Sequence, residues 1–388
     1  MDTAETSTHR MFAENSGHPP KVVASSSALL DNTVLPDNQL ERSRSKTIAV
    51  DRTLPADAYR LEFQHALACV APSLAAVESR LRSELISHDA NVSEMLGYVA
   101  ELGGKRLRPA LALLAADWLG GITNETIRLA TVVELVHTAT LVHDDILDEA
   151  LLRRHKPTVH TRWNVPASVL IGDWLFTNAY RLANEGDSTL PGRWIAIAAQ
   201  RVCEGEIRQG NSVADWNITE DQYLKMLEDK TGALCGVSCA LGAWSAGAGS
   251  EVCQQLDQFG IQLGTAFQIF DDWLDLWGDA ERSGKTLGTD LSQWKPTLPL
   301  IRALHMQSPA VRAQWIECME HPTADSVAKM RTRIDATDAS QYTLNFAKNL
   351  VREATGGLQS LAEQLGRTDS RALQSLIRLA AASIARGA

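Results

Sequence analysis

The sequence predicts an all-α helical bundle. From about residue 57 onward, apolar residues recur at spacings of three and four, the period of a helix with one buried face. No stretch alternates apolar and polar residues as a half-buried strand does. The interruptions fall at Gly and Pro, the residues that stop helices.

Taken in order, residues 1–54 are rich in Ser, Thr, Asn, Asp and Pro without a sustained apolar period, the composition of a disordered arm. Residues 55–388 are expected to form one all-helical domain. Its first runs, 57–86 and 90–102, stop at Gly103-Gly104, and the next, 107–118, stops at Gly120-Gly121. The run 124–147 is closed off by Pro157, 166–184 starts at Pro166, and Gly186 to Pro191 separates it from 191–210. Then come 219–229, 231–247 and 251–276, ahead of a glycine-bounded loop at 284–288. Segments 296–306, 324–335, 339–365 and 370–386 complete the bundle.

With 388 residues, 45% hydrophobic and 22% charged, the chain has an ordinary globular composition. A net charge of −10 argues against nucleic acid as a partner, because phosphate backbones are held by surpluses of Lys and Arg. Six cysteines include no Cys-x-x-Cys pair and follow no secretory signal, so they read as reduced thiols of a cytoplasmic protein. Residues 231–250 carry no charge and are long enough to span a bilayer. Their Gly, Ala, Ser and Cys content points instead to a helix packed closely on all sides. An apolar substrate would then arrive from the cytosol or the membrane surface.

The chain repeats a short acidic word, Asp-Asp-Ile-Leu-Asp at 144–148 and Asp-Asp-Trp-Leu-Asp at 271–275, each inside an apolar helical run. Residues four apart share a helix face, so Asp144 with Asp148 and Asp271 with Asp275 form acidic stripes. Like charges so placed repel by about 0.2–0.5 kcal/mol on an exposed helix, and more where water is scarce. One such run is ordinarily a solvated face. Two copies with the same spacing, each followed by basic residues (Arg153 and Arg154, then Lys285), point to a cation between them. Carboxylates that leave room for water and phosphate suit Mg²⁺.

Gly103-Gly104-Lys105-Arg106-Leu107-Arg108-Pro109 sets three cations ahead of a helix. Helix-start N–H groups, the Lys point charge and the Arg fork all bind phosphate oxygens. His137 lies on one face with Leu141, Asp144 and Asp148, where it can donate to a phosphate. Arg153 and Arg154 stand close enough to the first word to neutralise a polyanion.

These motifs together resemble the trans-isoprenyl diphosphate synthase family. The resemblance runs through Gly103 to Pro109, Glu134 to Glu149, Arg153 to His160, Ile171 to Phe176, Lys230 to Gly232, Phe267 to Asp275 and Gly284 to Leu291, in the family's order. It implies an isoprenoid-synthase bundle around a central cavity, a homodimer, and head-to-tail joining of isopentenyl diphosphate to an allylic diphosphate. By the same resemblance Lys105, Arg108, His137 and Arg154 hold the isopentenyl diphosphate. Asp144, Asp148 and Asp271 ligate two or three Mg²⁺ ions, with Asp145, Asp272 and Asp275 as further or supporting ligands. Arg153, Lys230, Thr231, Gln268 and Lys285 contact the allylic substrate or its leaving group. One departure stands out. Where the family has Gly-Lys, this chain has Trp294-Lys295 before Pro296-Thr297-Leu298-Pro299, which leaves that loop and any contact by Lys295 open.

The expected chemistry is ionisation of the allylic C–O bond, attack by the isopentenyl double bond, and proton loss to the released diphosphate. The growing chain is expected to pass Thr140, Ala139, Val136 and Val133, where no aromatic blocks it. That favours a product of hexaprenyl length or longer, of the kind used for quinone side chains and released at the membrane surface. Ala139→Phe should then shorten it. The alternatives are a geranylgeranyl diphosphate synthase whose floor comes from another helix, a class I terpene cyclase, and a non-catalytic subunit of a synthase. The last two fit less well with a second substrate clamp and two intact acidic words.

Overall fold

The computed structural model describes residues 56–278, 287–323 and 325–385. The expected disordered arm at 1–54 and Lys285 lie outside them. In chain order the helices are α1 (Ala56–Leu67), α2 (Ala71–Glu84), α3 (Ala90–Glu101), α4 (Leu107–Leu119), α5 (Asn124–Leu147), α6 (Val159–Arg162), α7 (Val165–Ala183), α8 (Leu190–Asn211), α9 (Glu220–Leu227), α10 (Ala233–Ser245) and α11 (Ser250–Trp277). They continue with α12 (Thr289–Ser292), α13 (Leu298–His305), α14 (Pro309–Glu320), α15 (Ser326–Asp335), α16 (Ala339–Gln364) and α17 (Arg371–Ser383).

Local chemistry fixes the ends. Asp89 accepts from the N–H groups of Asn91 and Val92 to start α3, Thr123 and Thr126 form a reciprocal capping box on α5, and Thr219 with Gln222 does the same on α9. The core is built on α10 and α11. Gly242 leaves no room for a Cβ against the Ala112 carbonyl of α4, and Gly260 none against the Cys235 carbonyl. These small residues let backbones touch, and the uncharged run becomes the buried helix its composition predicts. Among the described residues no helix is long and apolar enough to cross a membrane.

The short helices α6 and α12 fall outside the expected runs, and four larger features also differ from the sequence expectation. The run 57–86 is interrupted by a 3₁₀ turn at Ala68–Val70. The segments expected to break near residue 230 are continuous, because a π-helical segment, Glu228–Gly232, joins α9 to α10. It lies against Gly205 of α8, where a Cβ would strike the Lys230 backbone. Helix α14 was not expected, since among its residues only Trp315 and Met319 are buried and its apolar period is thin. Finally, Leu152–Arg153 pairs antiparallel with Lys156–Pro157. Arg154 and His155, at φ 52° and 64°, make its two-residue turn, the double left-handed geometry of a type I′ hairpin.

Candidate active site

Helix α5 carries the first word at its C-terminal end, and the word divides by role. Asp145 is buried and its two oxygens accept from Arg153 Nε at 2.8 and 2.9 Å. Asp144 is partly buried. Burial, then the charges of Glu206 and Asp148, push its carboxyl up to about 7, with Lys230 acting in the opposite sense. Lys230 itself pairs with Glu206 at 2.6 Å and donates to Gln209. The π segment is what turns Lys230 toward α8.

The basic motif splits as well. Arg106 takes a left-handed conformation before α4. Its guanidinium is consumed by Glu78 at 2.8 Å and by buried Glu134 at 2.6 Å, so it is a structural ion pair rather than a third clamp cation. Arg108 Nη1 donates to His137 Nε2 at 3.0 Å, which puts the ring proton on Nδ1. Burial first, then Arg108, Arg153 and Arg154, hold His137 well below its usual range, so the ring is neutral at pH 7. Arg108 Nε is buried without a partner, an unmet donor of the kind a bound anion would satisfy. Arg154 reaches over the hairpin turn to donate to the Leu102 carbonyl at 2.7 Å and to that of Gly103. Lys105 Nζ stands 5.9 Å from the Phe63 ring.

The second word repeats the division. Asp272 is buried and accepts from Tyr223 Oη at 2.6 Å and Gln268 Nε2 at 3.1 Å. The same Gln268 accepts from Thr231 Oγ1 at 3.4 Å. Asp275 turns to the start of α12, accepting from the N–H groups of Thr289 and Asp290, each at 3.1 Å. Asp290, to which sequence reasoning gave no role, is pushed up to about 6 by burial and by Asp275. Lys295 N–H donates to the Asp290 carbonyl at 2.9 Å, and Lys295 Nζ reaches Asp148 at 3.2 Å. Asp148, Lys295, Asp290 and Asp275 thus form a continuous chain of contacts that brings the two words together. Asp290, Glu206, Gln209, Tyr223 and Lys295 are the site residues that spacing alone did not reveal.

The expected path for a growing chain is only partly open. Val133, Val136 and Ala139 have no exposed surface and belong to the core, while Thr140 is half-buried. The accessible side of α5 next to Asp144 carries Thr140 and His143. The His143 ring packs on Gly172 and lies 5.9 Å from Phe176, which stacks 6.4 Å from Tyr180.

Among the described residues no three acidic, His or Cys side chains already converge as a metal cage. The donor set fits Mg²⁺ all the same, because this ion keeps waters and binds through one or two carboxylates plus substrate phosphate. Burial, together with neighbouring carboxylates, raises Asp144 and Asp290, while Lys230 acts on both in the opposite sense.

An all-α bundle in which two acidic words are linked through Lys295 and Asp290, with Lys230, Arg108 and Arg154 nearby, has the arrangement expected of a prenyltransferase. A sequence profile described as Polyprenyl synthetase matches residues 89–335. The chain is 37% identical over 239 residues to octaprenyl diphosphate synthase of Escherichia coli (strain K12), covering 62% of this chain and 74% of that one. It is 35% identical over 320 residues to all-trans-nonaprenyl-diphosphate synthase (geranyl-diphosphate specific) of Rhodobacter capsulatus, covering 82% and 97%. A decaprenyl diphosphate synthase crystal structure from Rhodobacter capsulatus superposes with a TM-score of 0.77 at 31% identity, over 83% of this chain and 98% of that one. The chain belongs to the polyprenyl synthetase family, and it is a polyprenyl diphosphate synthase.

Proposed function

We propose that the protein adds isopentenyl diphosphate to an allylic diphosphate repeatedly, ending at hexaprenyl length or beyond, for quinone side chains. The observation that carries the two-substrate reading is the contact chain from Asp148 through Lys295 and Asp290 to Asp275, which sets both words around one cleft. Asp144, Asp148 and Asp271 would hold two or three Mg²⁺ ions, with Asp145, Asp272 and Asp275 supporting them. When bound, Mg²⁺ supplies positive charge that stabilises the departing diphosphate.

The residues then have separable tasks. The Arg153 ion pair orients Asp145, and the Tyr223 hydroxyl and Gln268 amide orient Asp272. Lys230, Lys295 and Lys285, with Thr231 and Gln268, hold the allylic diphosphate. Lys105, Arg108, His137 and Arg154 hold the isopentenyl diphosphate. Neutral His137 keeps a proton at Nδ1 and the Arg108 donor at Nε2, so it orients rather than takes protons. The proton lost after coupling goes to the released diphosphate.

The Escherichia coli and Rhodobacter capsulatus relatives support the long product. A geranylgeranyl endpoint is the second reading, favoured by the complete burial of Val136 and Ala139, which closes the path beneath Thr140. The partner surface supports a homodimer: Leu147, Leu151, Leu152 and Leu170 are each more than 60% exposed. Six free cysteines support a reducing, cytoplasmic setting, with contact to the membrane surface for product release. Incubation of the purified protein with Mg²⁺, labelled isopentenyl diphosphate and farnesyl diphosphate tests the reading. Products at hexaprenyl or longer uphold it, a stop at geranylgeranyl selects the second reading, and no product from any allylic starter rejects both.

A further inference from the structure

Trp294, where the resemblance to the family leads one to expect glycine, has a φ of 53°, in the left-handed region. A bulky aromatic residue is rarely held there unless its surroundings fix it. Here they do. The Trp294 carbonyl accepts from the N–H of Ala214, itself at φ 58°, at 3.0 Å. Its N–H donates to the Leu291 carbonyl at 3.2 Å. The indole meets Trp216 edge to face, with centroids 6.0 Å apart and planes at 84°. Trp216 is buried, and its carbonyl accepts from the Arg312 guanidinium, which also donates to Asn217 at 3.0 Å. The α8–α9 connection is therefore an anchored body, and Trp294 is fastened to it at two points.

The next residue is Lys295, whose Nζ crosses the cleft to Asp148 at 3.2 Å, a link between residues 147 apart in sequence. We infer that Trp294, held by Ala214 and Trp216, is a positioning residue that sets the reach of Lys295 between the two acidic words. A glycine at 294 would allow the same turn without fixing it. This rests on the proposal that an allylic diphosphate occupies that cleft.

The test compares Trp294→Gly, Trp294→Phe, Lys295→Ala and the double variant Trp294→Gly/Lys295→Ala in the full chain. Three quantities are measured: KM for each substrate, the Kd for a farnesyl thiodiphosphate that ionises slowly, and Tm. Trp294→Gly is expected to weaken allylic KM and thiodiphosphate Kd about tenfold, a change of about 1.4 kcal/mol. The isopentenyl diphosphate KM should hold, and Tm should fall only moderately, because the lost contact with Trp216 is partly offset by relief of the left-handed strain. Trp294→Phe should recover most of the affinity, and Trp294→Gly should add nothing once Lys295 is gone. The inference is overturned if Trp294→Gly lowers Tm without touching allylic affinity, if its effect persists undiminished in the Lys295→Ala background, or if Lys295→Ala is itself unimpaired. Each of those results leaves the proposed activity standing. Absence of prenyl product from the wild-type protein would instead remove the activity and the inference together.

Discussion

Asp257 is 2% exposed on α11, and its Oδ2 has no hydrogen-bond partner. Burial pushes its carboxyl up to about 7, opposed by Arg201. An unfolded aspartate titrates near 3.9, so the folded chain keeps a proton that the unfolded chain releases as pH rises above about 4. Stability should therefore fall between about pH 4 and 7, with the full penalty of about 4 kcal/mol present above 7. Asp257→Asn should raise stability at pH 8 and flatten this slope. Urea unfolding at pH 5, 6, 7 and 8 checks it, and an unchanged slope in the variant would sink the argument. Asp144 makes the complementary case in the cleft, where the shift to about 7 comes from burial and from Glu206 and Asp148. Asp144→Asn should raise the Tm of the metal-free protein at pH 8, since it removes a charge that burial disfavours. It should also lower kcat by about 10²–10³-fold, the usual scale for losing a transition-state charge stabiliser. A site kept at the expense of stability behaves in this way. An equal loss of Tm and activity would show Asp144 to be a fold residue.

On α5, burial decides which of the expected wall positions can act. Ala139 has no exposed surface, so Ala139→Phe should act first as overpacking, lowering stability by about 1–3 kcal/mol. Thr140→Phe, one residue on and half-buried, should shorten the product with Tm nearly unchanged. Product sizing and thermal melts on the two variants separate these outcomes. A full-length product from Thr140→Phe would take this face of α5 out of chain-length control. The helix itself was legible in the sequence: residues 124–147 have the same bounds in both, because Thr123 caps one end and the apolar period never lapses. The acidic words were legible through their repetition, which no structural requirement of a helix supplies. What spacing could not show is which acid of each word turns inward, since Arg153 reaches Asp145 only by way of the hairpin and Tyr223 comes from another helix. The Arg154-His155 turn lacked the Asn or Gly that marks a type I′ hairpin, and the π segment had no sequence signature. Arg106 looked like one more clamp cation until Glu134, 28 residues away, claimed it.

At the scale of the whole molecule, half of the large exposed apolar side chains among the described residues come from one end of the antiparallel α5–α7 pair. Leu147, Leu151 and Leu152 leave α5 there, and Val165, Val169 and Leu170 open α7, with exposures from 40% to 68%. Isolated exposed leucines are ordinary, but a contiguous group marks an interface. A two-fold dimer buries the same patch from both copies, and Leu147 adjoins Asp148, so the contact would brace the end of α5 that carries the first acidic word. Leu170→Glu places a charge in the centre of that contact without touching the core of the single chain. The expected result is a shift from dimer to monomer in sedimentation equilibrium, with a Tm that no longer rises with protein concentration. Activity should fall with the dimer, because the end of α5 loses its brace, and should recover in part at high protein concentration as mass action restores the contact. A monomeric wild type, or a variant that stays dimeric at full activity, would show that the exposed leucines do not form the subunit interface.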